Sequence, residues 1–376
     1  MKPSPHLMIP GPTPLPESAR AAMARPAIGH RSEAFYDVLK RVFPNIKQVF
    51  QTRNPVFVYT ASGTAAMEGA YTNTLNRGDR VLVLCCGVFS ERWARMGNML
   101  GFDVTELSVE PGQPNTVASL KEALETAATK GTPYKAVVVT HSETSTGVLN
   151  PIEAMLPLIH EHGALSYVDA VTSLGASPFN TDELQADLVF SGSQKGFMTP
   201  PGLSFLAVSD RAMKAHESVE YPGFYFNFAN HKKYQDNFQT TCTPNTHGFM
   251  ALDEALQLML AEGIDHVTAR HRRMRNMIRD GVRELGMSLV VEDDQFASDA
   301  VTSVYPPEGL TVPEIRGRLK DQYNIIVANG QRHLKDKLFR IGHLGFQTER
   351  DVIMVFQAMK QITQNTGSAS HSTCTV

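Results

Sequence analysis

The sequence predicts an α/β protein in which a large domain carries a mainly parallel, seven-stranded sheet and a smaller α+β domain follows it. Two observations lead to this prediction. Short apolar runs of strand length alternate with helical patterns from about residue 56 to residue 208, as in sheets covered by helices. After about residue 262 the rhythm changes to longer helical patterns separated by short strands.

The first part of the chain supplies seven candidate strands, several of them almost entirely apolar, as expected for strands that are buried on both faces. They span residues 56–59, 80–85, 103–107, 136–140, 165–169, 187–191 and 203–208. Helical patterns lie between the strands, at residues 64–76, 89–100, 118–129 and 152–162. This alternation is typical of a parallel sheet with crossover helices.

The remainder of the chain predicts a second, smaller sheet. Its expected strands are residues 287–291, 300–305, 325–328 and 338–341, and its expected helices are residues 264–285, 312–322 and 348–364. We therefore expect a large domain at residues 17–260 and a small domain at residues 261–365. Six prolines within residues 1–16 predict an extended arm. Residues 366–376 are rich in Ser and Thr without apolar periodicity, and we expect a disordered tail.

Composition limits the class of partner. The formal net charge is -3 and the isoelectric point is about 6.5, which does not favour a nucleic-acid binder. The four cysteines show no spacing typical of a metal site or of a disulfide framework. No apolar run approaches the roughly 20 residues of a membrane helix, and no signal pattern opens the chain. We expect a cytoplasmic protein with neither a metal site nor a membrane partner.

An anion site is predicted where the helical pattern at residues 64–76 begins. Ser62, Gly63 and Thr64 follow an apolar strand, so free backbone N–H groups, two hydroxyls and a glycine that permits close approach meet at a helix start. A phosphate group would fit there. A capped helix start without any ligand is the structural alternative.

Two further strands end in ionisable groups. Asp169 closes the apolar strand at residues 165–169, where a carboxylate could pair with a buried cation such as a protonated ring nitrogen. Lys195 follows the strand at residues 187–191 among small residues, and an ε-amine held there could bond to a carbonyl carbon. Read separately, Asp169 could be a helix cap and Lys195 a solvated loop lysine.

A hydroxyl cluster and an arginine complete the set. Thr144 lies in a Ser/Thr-rich segment after the strand at residues 136–140, where a turn with local caps is the alternative. Arg340 lies inside an apolar strand, and a buried guanidinium needs a partner, either a substrate carboxylate or a structural ion pair. Together, the anion site, acid, hydroxyls and lysine at successive strand ends are what a pyridoxal 5′-phosphate (PLP) enzyme requires.

With these residues in place, the sequence resembles the class V aminotransferases of fold type I, and most closely the alanine–glyoxylate and serine–glyoxylate aminotransferases. The resemblance covers nearly the whole chain. The matching strings are IPGPTP at residues 9–14, VFQTRNP at 49–55, SETSTGV at 142–148, SGSQK at 191–195 and FRIG at 339–342.

The resemblance implies a role for each candidate residue. Lys195 would be the covalent anchor of PLP and the proton carrier, and Asp169 would pair with the ring nitrogen. The other implied cofactor contacts are Ser62, Gly63, Thr64 and Gln194 at the phosphate, Thr144 at the phenolic oxygen, and Phe89 against the ring, where relatives often carry tryptophan.

Residues at the substrate and at a subunit interface are also implied. Arg340 would bind the substrate carboxylate, with Gly11 and His30 beside the substrate; a structural ion pair is the alternative for His30. Thr243 would reach a phosphate across the interface of a homodimer, although relatives often have tyrosine and histidines in that stretch.

The implied reaction moves an amino group from a small amino acid, alanine or serine, to the 2-oxo acid glyoxylate. A 2-aminoethylphosphonate–pyruvate transaminase is the main alternative, because the stretch around Thr243 is also similar to that branch. A cysteine desulfurase is not favoured, since Cys242 and Cys374 are poorly placed for a mobile nucleophile. A non-catalytic subunit should have lost Lys195 or Asp169, and both are present.

Overall fold

The computed structural model of the chain describes residues 4–367. Its strands, β1 to β14 in chain order, are His6–Met8, Val56–Tyr59, Arg80–Cys85, Asp103–Ser108, Ala136–Thr140, Ser142–Glu143, Val148–Leu149, Leu165–Asp169, Leu188–Gly192, Ser204–Val208, Ser288–Leu289, Val301–Tyr305, Ile325–Asn329 and Phe339–Gly342. Its α-helices, α1 to α12, are Glu17–Met23, Glu33–Phe50, Gly63–Thr74, Val88–Leu100, Val117–Thr129, Ile152–Glu161, Asp210–His216, Phe228–Gln235, Thr246–Glu262, Ile264–Glu284, Val312–Tyr323 and Glu349–Gly367.

Seven strands form the larger sheet, in the order β2-β10-β9-β8-β5-β3-β4. β10 is antiparallel to both of its neighbours, and the other neighbouring pairs are parallel. These are the seven strands predicted from the sequence, with ends that agree within one residue. The α/β class and the mainly parallel seven-stranded sheet are therefore confirmed.

Apolar cores lie on both faces of this sheet, because alternate residues of a strand point to opposite faces. In β5, Val137 and Val139 pack with α2, α5, α6 and α9, whereas Ala136 and Val138 pack with α3 and α4. Burial on both faces explains why the strands are apolar throughout. It also leaves the strand ends as the places where polar side chains can emerge.

Two long helices, α2 and α9, were not among the predicted elements. α2 contains Pro44, which in a sequence usually marks the end of a helix. Its start is capped by Ser32, whose side chain accepts a hydrogen bond from the backbone N–H of Phe35. α9 is buried along most of its length, so its apolar residues do not form a one-sided stripe. Both helices pack on the larger sheet.

A second sheet has five strands in the order β1-β13-β14-β12-β11. The N-terminal arm contributes β1 as a parallel edge strand beside β13, and helices α10, α11 and α12 share its apolar core with Met8. The strand expected at residues 287–291 is shorter in the structure, where it spans Ser288–Leu289. On the basis of this separate core, we propose that residues 261–365 form the small domain, that residues 17–260 form the large one, and that residues 1–16 are an arm.

The end of the chain differs in part from the prediction. α12 runs to Gly367, so it includes the first two residues of the segment 366–376 that was expected to be a disordered tail. The rest of that segment lies outside the described residues. Over residues 4–367, no helix combines the length and the apolar character that a membrane crossing needs.

Candidate active site

A cavity of about 210 Å³ opens at the carboxyl ends of the strands of the larger sheet. Thr140 ends β5, Asp169 ends β8, and Lys195 follows β9 by three residues. The side chains that line the cavity are Ser62, Gly63, Thr64, Met67, Phe89, Arg92, Thr140, Ser142, Thr144, Asp169, Val171, Thr172, Gln194 and Lys195. The topology therefore brings together polar residues from five separate parts of the chain.

The start of α3 lines the cavity. Ser62 is the N-cap residue, but its side chain makes no capping hydrogen bond, and Gly63 and Thr64 begin the helix. A helix start of this kind presents backbone N–H groups and a positive dipole end to an anion. Gln194 borders the same cavity, and its buried Oε1 has no hydrogen-bond partner within the described part of the chain.

Asp169 is buried, and two donors fix its carboxylate. The indole N–H of Trp93 donates to Oδ2 at 3.0 Å, and the backbone N–H of Val171 donates to Oδ1 at 3.1 Å. Burial raises the pKa of Asp169, and these two hydrogen bonds oppose the rise because they favour the ionised form. The carboxylate has further lone pairs with which it can accept a donor from the cavity.

Lys195 is only 9% exposed and is held by the N-terminal arm. Its Nζ donates to the carbonyl oxygen of Pro10 at 2.6 Å, and its backbone carbonyl accepts from the hydroxyl of Thr13 at 3.1 Å. Gly11 lies so close that an added Cβ would stand 2.9 Å from the Cδ of Lys195. Burial and the positive charge of Arg340 lower the pKa of Lys195 to about 8.

Arg340 lies on β14, in the second sheet, and is 7% exposed. Its Nε donates to the carbonyl oxygen of Asn329 at 2.8 Å, and its Nη1 donates to that of Thr144 at 3.1 Å. Within residues 4–367 no acidic side chain forms an ion pair with it. Burial lowers the pKa of Arg340 to about 10, so it remains a cation at neutral pH. A buried guanidinium without a carboxylate is suited to an anionic ligand.

Hydroxyl groups line the cavity. The hydroxyls of Thr144 and Thr172 share a 2.5 Å hydrogen bond, and Ser142 pairs with Ser298 at 2.7 Å. The buried hydroxyl of Thr140 has no hydrogen-bond partner among the described residues. Since buried polar groups are normally satisfied, this hydroxyl and the Gln194 amide indicate a polar ligand in the cavity.

The residues near the cavity that the sequence analysis missed include Arg92, Trp93 and Glu143. The Arg92 guanidinium lies 4.8 Å from the ring centroid of Phe89 and donates to the hydroxyl of Thr64 at 3.1 Å. Arg92 and Trp93 follow Phe89 by three and four residues on α4, so they share a helix face with it. That spacing was a signal that could have found them.

Glu143 is fully buried and holds the start of α4 in place. Its carboxylate accepts hydrogen bonds from the backbone N–H groups of Phe89 and Ser90, and from the hydroxyl and N–H of Ser145. This carboxylate therefore fixes the backbone that carries Phe89, which lines the cavity. No sequence pattern distinguished Glu143 from its polar neighbours.

Four predicted site residues do not line this cavity. His30 is half-buried and Thr243 is exposed, and neither lines it. Gly11 lies against Lys195, and Arg340 donates to the carbonyl oxygen of Thr144, so both lie next to residues that line the cavity. Among residues 4–367, no group of three or more His, Cys, Asp or Glu side chains is arranged to hold a metal ion.

The donor set fits pyridoxal 5′-phosphate. The helix start and the Gln194 amide suit a phosphate, and the unsatisfied hydroxyl of Thr140 suits a polar ring. Asp169 suits a protonated ring nitrogen, and the amine of Lys195 suits an aldehyde. Each group faces or borders one cavity, so a single ligand could engage all of them.

Comparisons with known proteins agree with this chemistry. The family model "Aminotransferase class-V" matches residues 17–352. A soluble hydrogenase small subunit of Synechococcus sp. is 42% identical over 362 residues, which are 96% of this chain and 93% of that protein. The serine–glyoxylate aminotransferase of Methylorubrum extorquens is 36% identical over 356 residues, which are 93% of this chain and 88% of that protein.

A solved structure is similar over nearly the whole chain. The alanine–glyoxylate aminotransferase of Nostoc sp. superposes with a TM-score of 0.90 and 31% identity, and the match covers 96% of both chains. The chain therefore belongs to the class V aminotransferases, which are pyridoxal 5′-phosphate enzymes of fold type I.

Proposed function

We propose that this aminotransferase moves an amino group from a small amino acid, alanine or serine, to glyoxylate, giving glycine and a 2-oxo acid. The observation that carries the proposal is Arg340, a buried cation without an acidic partner among the described residues, beside Lys195 and Thr144. Alanine, serine and glyoxylate each offer one carboxylate to such a group. The glyoxylate aminotransferases of Methylorubrum and Nostoc support the choice of substrates.

The cofactor acts as an electron sink that makes the Cα–H bond of the donor acidic. We assign its phosphate to Ser62, Gly63 and Thr64, with Gln194 beside them. Each of these four residues lines the cavity, and the start of α3 supplies N–H donors. Lys195 lines the same cavity and is left for the reacting carbon.

We assign the ring to the part of the cavity that Asp169, Thr144 and Phe89 line. Asp169 would accept a hydrogen bond from the ring nitrogen with the lone pairs that Trp93 and Val171 leave open. Thr144 would face the phenolic oxygen, and Phe89 would pack against the ring from the cavity wall. Phe89 offers a smaller aromatic surface than the tryptophan often found in relatives, and Arg92 holds it in place.

Lys195 would be both the covalent anchor and the proton carrier. A general base works best when its pKa lies near the working pH, and burial beside Arg340 brings the pKa of Lys195 to about 8. Its Nζ would take the proton from the donor Cα. The carbonyl of Pro10, 2.6 Å away, can hold Nζ in the orientation for that transfer.

The remaining assignments concern the assembly. We propose a homodimer in which Thr243 of one subunit contacts the phosphate in the other, since Thr243 is exposed and does not line its own cavity. Tyr221 and Phe224, which are 86% and 80% exposed, lie in the segment before α8 and offer apolar surface for the interface. His30 would lie at the mouth of the site, and the protein would work in the cytoplasm.

A panel of amino donors tests the proposal. The enzyme loaded with cofactor is mixed with alanine, serine or 2-aminoethylphosphonate, followed by glyoxylate or pyruvate, and glycine and alanine are measured by mass spectrometry. We expect glycine from alanine or serine with glyoxylate. Alanine formed from 2-aminoethylphosphonate and pyruvate, with no glycine from the other pairs, would replace this proposal with the phosphonate transaminase.

The hydrogenase name of the Synechococcus relative specifies neither an amino donor nor an acceptor. The proposal therefore rests on the cavity and on the glyoxylate aminotransferases.

A further inference from the structure

The single tryptophan of the chain, Trp93, contacts the acid of the candidate active site. Its indole N–H lies 3.0 Å from Oδ2 of Asp169, and both side chains are buried. We infer that Trp93 is a positioning residue, which orients the Asp169 carboxylate toward the ring nitrogen of the cofactor. The inference rests on the proposed role of Asp169.

The two oxygens of Asp169 each receive one fixed donor. The indole N–H of Trp93, on α4, donates to Oδ2. The backbone N–H of Val171, in the segment that follows β8, donates to Oδ1 at 3.1 Å. Donors on both oxygens resist rotation of the carboxylate about its Cβ–Cγ bond. Because Asp169 lines the cavity, its unused lone pairs are available to a donor there.

The indole itself is held by an aromatic cluster. Its ring centroid lies 4.8 Å from that of Phe190, 5.3 Å from that of Tyr71 and 6.1 Å from that of Tyr167. Phe190 lies on β9 directly beside Asp169 in the sheet register. The same packed cluster thus fixes the direction of the N–H bond relative to the strand that ends in Asp169.

The bond also affects the charge of the acid. Burial raises the pKa of Asp169, and the indole hydrogen bond is the leading influence against that rise. A protonated carboxyl group would lose its attraction for a protonated ring nitrogen. Removing the indole N–H should therefore weaken this one contact through both orientation and charge, while leaving the contacts of the phosphate unchanged.

The test compares two ligands that differ only at the ring nitrogen. Dissociation constants are measured for pyridoxal 5′-phosphate and for its analogue with carbon in place of that nitrogen. For Trp93→Phe we expect roughly tenfold weaker binding of the cofactor, as for loss of a hydrogen bond to a charged group, and less than about twofold for the analogue. Tyr71→Phe is the matched control, because its hydroxyl donates to the Trp93 carbonyl and not to Asp169.

Equal losses for both ligands in Trp93→Phe would overturn the inference, because they would mean that Trp93 acts only through packing. Should that variant fold poorly, replacing tryptophan by benzothienylalanine changes this position alone, since the chain has one tryptophan, and substitutes sulfur for the N–H at nearly constant shape. The same selective loss is expected. Asp169→Asn reports separately on the underlying role: if it weakens the binding of both ligands by the same factor, the proposed contact of Asp169 with the ring nitrogen fails, and the inference fails with it.

Discussion

The Nζ of Lys195 donates a 2.6 Å hydrogen bond to the carbonyl oxygen of Pro10, so the N-terminal arm contacts an amine that lines the candidate site. Thr13 adds two hydrogen bonds to this junction between the arm and the site. Its backbone N–H donates to the carbonyl oxygen of Gln194, and its hydroxyl donates to the carbonyl oxygen of Lys195. The arm also carries β1 of the second sheet. The same segment therefore connects the second sheet to Lys195.

Gly11 tests this junction. It has a φ of +133°, and an added Cβ would lie 2.9 Å from Cδ of Lys195, so Gly11→Ala should displace either the arm or the lysine. We expect kcat/KM to fall by at least about tenfold and stability to fall by roughly 1–3 kcal/mol. Gly78→Ala is the control, because Gly78 also has a positive φ but open space around it. Comparable activity in both variants would contradict the account.

The low pKa of Lys195 predicts a dependence of stability on pH. In the native apoprotein this pKa is about 8, whereas the unfolded chain keeps the proton up to about 10.5. Between these values the unfolded state binds more protons, so the contribution of Lys195 to the free energy of unfolding rises with pH. Below pH 8 both the native and the unfolded state hold the proton, so the buried charge of Lys195 lowers the free energy of unfolding by its full amount.

Lys195→Met should therefore stabilise the apoprotein at pH 7, by up to roughly 3 kcal/mol in urea unfolding. The gain should shrink as pH rises from 8 toward 10.5. Lys214→Met, at an exposed lysine, should change stability by less than about 0.5 kcal/mol at pH 7. A Lys195→Met variant that is less stable than the wild type at pH 7 would show that the buried amine does not destabilise the native protein.

Arg340 predicts a selective loss of activity. Arg340→Ala removes the cation that we assign to the substrate carboxylate, and the loss of such a partner costs about 2–5 kcal/mol, or roughly 30-fold to several thousand-fold in kcat/KM. The spectrum of the bound cofactor should be retained. Arg273→Ala, at an exposed ion pair with Glu349, is the control. Unchanged efficiency with alanine in Arg340→Ala would remove Arg340 from the site.

Glu143 predicts an effect on both stability and the cofactor. Glu143→Gln replaces one accepting oxygen by an NH₂ group, which then faces N–H donors of Phe89 and Ser90 or of Ser145. We expect a loss of about 1–3 kcal/mol in thermal or urea unfolding, and weaker cofactor binding because the start of α4 shifts. Glu122→Gln makes the same chemical change at an exposed site. Equal stabilities of the two variants would refute the capping role.

The sequence predicted the larger sheet well for a physical reason. Strands buried on both faces must be apolar, and their ends are where polar groups emerge, so Asp169 and Lys195 were recognisable as successive strand ends. α2 and α9 were not recognisable in the same way. Pro44 interrupts the helical signal of α2, and α9 is buried on too many sides to show an amphipathic stripe.

The hydrogen bonds that orient Asp169 and Lys195 could not be predicted from the sequence. Trp93 and Asp169 are 76 residues apart, and only the packing of α4 on the sheet brings them together. The acceptor for Lys195 is a backbone carbonyl, that of Pro10, which has no sequence signature. Arg92 and Trp93 could have been suspected from their spacing to Phe89, but their partners could not.

The absorbance spectrum of the purified protein tests the central claim, that Lys195 anchors a cofactor which carries the amino group. We predict a visible cofactor band that disappears with alanine, returns with glyoxylate, and is lost in Lys195→Ala, while Lys214→Ala behaves as the wild type. Failure to bind added pyridoxal 5′-phosphate, or full turnover by Lys195→Ala, would contradict the account.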